Sequence, residues 1–187
     1  MQFYALGTNP ILNLLRSQVP EVQQVWLADD ASGAGKLAQL RVWWDNIIRE
    51  GAKFGYSVNQ SKSWLILKNP DIELAAQSIF EGSSIQITTA GMRHLGAALG
   101  SQDFKKKYIS DKVSKWIEGI EKLSEIAESQ PHAAYSAYVH GYQHKFHYFL
   151  RTLDDIEEEL RPLDEVITSK LNHRLPLLAT NTPDIRR

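Results

Sequence analysis

The sequence predicts an α+β fold in which a mixed segment up to Gly100 gives way to an all-helical remainder. Three observations carry that expectation. Short strand-like runs alternate with amphipathic stretches up to Gly100. Beyond Ser101 an apolar stripe at helical spacing takes over, through Phe104, Tyr108, Trp116, Ile117, Ile120 and Leu123. Between Val25 and Ala28 a short apolar run ends in two adjacent acids, Asp29 and Asp30, with Ser32, Gly33 and Gly35 just after them.

Taken in order, Phe3 to Leu15 carries Phe3, Leu6, Ile11, Leu14 and Leu15, and Gly7 and Pro10 predict a helix broken or restarted near Asn9-Pro10. Val25 to Ala28 alternates as a half-buried strand does, and the Asp-Asp pair with its glycines predicts a tight turn. Leu37, Leu40, Trp44, Ile47 and Ile48 share one helical face opposite Arg41, Asp45, Arg49 and Glu50, and Gly51 is placed to stop that helix in a left-handed conformation. Tyr56 to Asn59 and Trp64 to Leu67 read as strands around a polar turn.

Asn69-Pro70-Asp71 is a helix start: a capping side chain, proline in the first turn, and an acid beside the helix dipole. Ile72, Ala75, Ala76 and Ile79 supply the buried stripe, and Gly82 ends it. Ile85 and Ile87 alternate as a strand, Gly91 breaks it, and a further strand runs through Leu95 and Leu99. The helical part is expected as a long helix ending before Pro131, a second from Pro131-His132 to about Leu153, and a third from Asp154 interrupted at Arg161-Pro162. The expected division is 1–100, then 101–178, then an unstructured tail at 179–187.

The bulk properties of the 187 residues set limits on function. A hydrophobic content of 43% with 23% charged residues is ordinary for a globular chain. The formal net charge of -1 removes any global argument for nucleic-acid binding, so a polynucleotide partner must rest on a local patch. With no cysteine, disulfide frameworks, zinc fingers and thiol catalysis are excluded. No apolar stretch approaches a membrane span and no signal peptide is evident, so a soluble intracellular chain is expected.

Leu27-Ala28-Asp29-Asp30, then a helix, then Gly55-Tyr56-Ser57-Val58-Asn59-Gln60-Ser61-Lys62-Ser63, then Met92-Arg93-His94-Leu95-Gly96, together resemble the palm of reverse transcriptases. The likeness covers residues 22 to 100 and is nearest to invertebrate retroelements, whose later helical stretch also looks similar to residues beyond 101. It implies a partial polymerase palm, an antiparallel sheet with helices on one face, followed by a thumb-like helical region. By resemblance the Asp-Asp hairpin presents acid to Mg²⁺, with Asp29 the firmer ligand and Asp30 secondary. Lys62 stands at the family's lysine, and Met92 to Gly96 leads to the primer-gripping hairpin.

The implied substrates are a primer-template nucleic acid and a deoxynucleoside triphosphate. Tyr4-Ala5-Leu6 fits the family's preceding motif, so the chain is expected to begin inside it. On that view the fingers and the first catalytic aspartate lie outside it. The chain is then expected to be inactive alone, with a partner chain one source of the missing palm half.

Each of these residues also has a plain alternative. Asp29 and Asp30 suit a partial Mg²⁺ shell, because hard cations want carboxylate oxygen, but a solvated turn has the same composition. Lys62 suits neutralisation or protonation of leaving pyrophosphate, or is an exposed turn lysine. Lys105, Lys106 and Lys107 oppose the dipole of the long helix, so a phosphate partner is worth proposing against a solvated face. His140, His144 and His147 share one helical face, but Tyr138, Tyr142, Phe146 and Phe149 mark it as a packing helix. Trp43 and Trp44 read as core. The competing overall function is a non-enzymatic helical interaction module in which Asp29-Asp30 is only a turn.

Overall fold

The computed structural model describes residues 2–175, with side chains from Leu6 onward. The expected tail at 179–187 and the side chains of Tyr4 and Ala5 lie outside the described residues. The chain divides into two compact units, Met1–Thr89 and Ala90–Arg187. The division precedes the expected Gly100–Ser101 boundary because the last hairpin packs on the long helix that follows it.

The first unit begins with α1, Gln2–Gln18, which runs through Pro10 without a break. Proline removes one backbone bond and crowds the preceding turn. Here that turn is on the solvent side, where Leu6 is 70% exposed, while Ile11 and Leu15 are fully buried and hold the helix to the core. Strands β1, Gln23–Leu27, and β2, Asp30–Ala34, form an antiparallel ribbon.

Helix α2, Leu37–Gly51, buries Trp44 and Ile47 of the expected stripe, and also Trp43 and, against the expected polar face, Glu50. Gly51 does not take the left-handed conformation (φ -52); the chain continues in a short 3₁₀ turn and reverses at Gly55, φ 73. Gly51 is needed for a different reason. A Cβ there would lie 2.8 Å from the carbonyl oxygen of Tyr56, whose N–H donates to the Gly51 carbonyl at 2.9 Å.

Tyr56 to Asn59 is not a strand. Ser61 Oγ donates to Asn59 Oδ1 and Ser63 Oγ to the Asn59 carbonyl, both at 2.9 Å, and these local bonds favour a turn over a ladder. β3, Trp64–Ile66, pairs with β4, Gln86–Thr88, in parallel rather than antiparallel register. The reason is the connection: the 3₁₀ turn at Pro70–Ile72 and α3, Glu73–Ile79, carry the chain back before β4 begins. Asn69 caps that start as expected, its side chain accepting from the Asp71 N–H at 3.0 Å. The ribbon β1–β2 and the pair β3–β4 are separate two-stranded sheets, so the single antiparallel sheet of the sequence expectation is not formed.

Polar contacts lock this unit together. Gln24 Oε1 accepts from two indoles, Trp26 at 3.0 Å and Trp43 at 3.3 Å, while its amide donates to the Leu12 carbonyl. Arg41 pairs with Asp45 and donates to the carbonyls of Ile79 and Glu81, which closes the end of α3. Glu50 is buried between Lys53 and Arg49. Their hydrogen bonds, Lys53 first, hold its carboxyl below the usual range although burial works the other way.

In the second unit a hairpin, β5 Gly91–His94 and β6 Ala97–Gly100, turns on Leu95-Gly96. Helix α4, Gln102–Ser129, starts on Ser101, whose side chain accepts from the Phe104 N–H at 3.2 Å. After Pro131 the chain packs back on α4 as α5, Pro131–Ala137, a π-helical turn over Tyr138–Tyr142, and α6, Gln143–Thr152.

Trp116 lies between Phe146 and Phe149, with ring centroids 5.2 and 5.1 Å away. Gly119 leaves room there for the Tyr142 ring, whose hydroxyl end a Cβ would displace. Helix α7, Glu157–Val166, contains Pro162 without the expected interruption, and a second π-helical turn, Ile167–Leu171, leads to α8, Asn172–Arg174. Leu163 and Leu171 tie this segment to the core. No described helix is long and apolar enough to cross a membrane.

Candidate functional site

Asp29 and Asp30 stand at the tip of the β1–β2 ribbon. Leu27 and Asp30 are the closing cross-strand pair, and Ala28-Asp29 is the two-residue turn. Ala28 takes the left-handed φ of 54, which an alanine adopts only at a cost of about 1–2 kcal/mol. Both acids are exposed, and neither carboxylate makes a hydrogen bond or ion pair among the described residues. The ribbon forms its own two-stranded sheet and is not in the sheet of β3 and β4.

What fixes the ribbon is its inward face. Gln24 and Trp26 point to the core, while Val25 and Leu27 point outward at 69% and 51% exposure. At the tip, the Tyr56 hydroxyl donates to the Asp29 carbonyl at 2.9 Å, and its ring lies 5.1 Å from that of Trp26.

The chemistry available is that of a partial cation shell. Mg²⁺ is commonly held by one or two carboxylates, with water and substrate phosphates completing its octahedron. Two exposed acids without internal partners fit that partial role. Among the described residues no group of three or more His, Cys, Asp or Glu forms a cage. The pair therefore offers ligands without a complete protein site.

Lys62 ends a 3₁₀ turn, Gln60–Lys62, with an exposed side chain that makes no internal ion pair among the described residues. Gln86 anchors that turn by donating to the Ser61 carbonyl at 2.7 Å. A shallow polar cleft lined by Ser57, Asn59, Gln60, Ser61 and Ser84 adjoins it.

The lysines of the second unit divide. Lys106 lies 3.7 Å from Glu159 of α7, whose other carboxylate oxygen is buried with no hydrogen-bond partner among the described residues. Lys105 and Lys107 make no ion pair among the described residues, and Lys112 sits over the Tyr108 ring at 5.5 Å. The patch is thus two free cations and one engaged cation.

The π-helical turn includes His140 and ends before His144, so it alters the rotation between them. His140, His144 and His147 are exposed, while Phe146 and Phe149 point into the core. Trp43 and Trp44 are buried at 7% and 6% exposure, as core residues.

The sequence reading passed over Gln24, Tyr56 and Glu159 as site residues. Gln24 had one signal, a polar residue on the face of a strand that also carries tryptophan. The other two depend on tertiary contacts that no local pattern encodes.

Comparison with protein-family models, with curated proteins and with solved structures gives no match.

Proposed function

We propose that this chain is a portion of a retroelement reverse transcriptase, the later palm followed by a thumb-like helical region. Its parent activity is templated transfer of a nucleotide from a deoxynucleoside triphosphate to a primer 3′ hydroxyl. Asp29 and Asp30 would hold Mg²⁺ against substrate phosphate, and that ion would supply charge stabilisation at the transferring phosphoryl group. Lys62 would neutralise or protonate the leaving pyrophosphate. Lys105 and Lys107, with Lys106 once released from Glu159, would bind polynucleotide backbone.

What supports the reading above all is the acid pair at the tip of a two-residue hairpin, exposed and without internal partners. The Lys62 turn after α2, and the Leu95-Gly96 hairpin after that, follow in the order the resemblance requires. The isolated chain should not extend a primer, because two carboxylates alone do not build a two-ion site.

The test is binding of a labelled primer-template duplex by the full chain across a range of salt. Affinity should fall as salt rises, and the triple variant Lys105→Glu, Lys106→Glu, Lys107→Glu should flatten the log–log slope by about two to three units, the third reached where Lys106 leaves Glu159. Binding that ignores both salt and the triple variant would remove the nucleic-acid assignment and return the chain to a non-enzymatic interaction module.

A further inference from the structure

We infer that Tyr56 is a positioning residue for the acid pair: its hydroxyl fixes the peptide unit between Asp29 and Asp30. The functional side of this inference rests on the reading just given; the structural side does not.

A two-stranded ribbon is marginal by itself in water. Gln24 and Trp26 secure the middle of β1, but Leu27, Ala28, Asp29 and Asp30 at the tip are all exposed. The contact that reaches the tip is the Tyr56 hydroxyl, which donates to the Asp29 carbonyl at 2.9 Å. That carbonyl shares one planar peptide unit with the Asp30 N–H. Holding it therefore sets the backbone from which both carboxylates project. It also supports a turn that Ala28 enters with the left-handed φ of 54.

Tyr56 is itself tied to a rigid element. Its N–H donates to the Gly51 carbonyl at the end of α2, its carbonyl lies where a Gly51 side chain would otherwise stand, and Gly55 at φ 73 turns the chain toward the ribbon. Its ring rests on Trp26, 5.1 Å away. The path runs from a buried helix through one phenol to the acid-bearing turn. Tyr56 also opens the segment that ends in Lys62, so one residue connects the acid turn with the start of the lysine turn.

The experiment is amide hydrogen exchange by NMR on the full chain, with Tyr56→Phe and, as a control in the other unit, Tyr148→Phe. Tyr56→Phe keeps the ring against Trp26 and removes the hydroxyl. Exchange of the Asp30 amide should speed up by about twofold to fivefold, as expected for one exposed hydrogen bond, while exchange in α2 stays unchanged. Tyr148→Phe should leave Asp30 at the wild-type rate. An Asp30 rate unmoved by Tyr56→Phe, or moved equally by Tyr148→Phe, overturns the inference.

A second arm titrates Mn²⁺ and follows broadening at the tip. The Tyr56→Phe chain should need about twofold to fivefold more Mn²⁺ for the same broadening. No tip broadening in the wild-type chain would defeat the metal reading, and the exchange arm would still decide the role of Tyr56.

Discussion

The described residues form two hairpins with two-residue turns, one gripped by a single tyrosine hydroxyl and the other by two, and they differ in what stands behind the grip. In the second unit Tyr148 donates to the Leu95 carbonyl at 2.5 Å and Tyr108 to the Gly96 carbonyl at 2.9 Å. Both rings contact the buried Phe149, 5.2 Å from Tyr148 and 6.1 Å from Tyr108, although Tyr148 is itself exposed. In the first unit the Tyr56 hydroxyl reaches the turn, and behind it stands Trp26 with its polar contacts. Both turns place a non-glycine residue at positive φ, Ala28 at 54 and Leu95 at 49. The contrast teaches that the acid-bearing turn is held through one hydroxyl backed by a single ring contact, whereas the Leu95-Gly96 turn is held through two hydroxyls whose rings lean on a buried phenylalanine.

The largest effect that would sharpen this contrast is on the packing side. Trp116→Ala empties the space between Phe146 and Phe149 and should destabilise the helical unit by about 3–5 kcal/mol, read by urea unfolding followed at the helical circular-dichroism band. On the polar side, Gln24→Leu leaves the Trp26 and Trp43 indole N–H groups without their shared acceptor. A loss of about 1–3 kcal/mol is expected in the first unit, with faster exchange throughout β1. A Gln24→Leu chain as stable as wild type would break the claim that the Gln24 bonds secure the ribbon to this unit's core.

The smallest effect is in pH. Lys53 and Arg49 hold the Glu50 carboxyl below its ordinary 4.5, so the unfolded chain takes up this proton first as pH falls. The stabilisation is present above about pH 4.5 and is lost as pH drops through the folded-state value, and Glu50→Gln should flatten that acid limb in a pH series of melting temperatures. Tyr138 in the other unit has the opposite sense. Burial, then Asp164, raises its phenol above 10.0, so the unfolded chain loses that proton first and stability declines on the alkaline side.

Much of this arrangement was legible in the sequence where a single local rule governs. The alternation at Val25 to Ala28 with the acids and glycines after it gave the ribbon, and the stripes of α2 and α4 gave their buried faces. Asn69-Pro70-Asp71 gave a helix start. The failures fall where tertiary contacts outweigh a local preference. Pro10 does not break α1, because Ile11 and Leu15 are buried beyond it. Tyr56 and Val58 alternate like a strand, yet no strand pairs with them, and Tyr56 turns to the ribbon instead. Parallel pairing of β3 and β4 is decided by the intervening helix rather than by either strand. At the candidate site the acids could be read directly, but the phenol that holds them could not. A tyrosine two dozen or more positions from its acceptor leaves no periodic trace.

The most direct measurement is paramagnetic broadening of backbone amide signals by Mn²⁺ on the 187-residue chain. The account predicts selective loss of signal at Asp29, Asp30 and their neighbours in the turn, abolished by Asp29→Asn. Broadening spread evenly over exposed acids such as Glu81 and Glu118, with no preference for the tip and no response to Asp29→Asn, would contradict it.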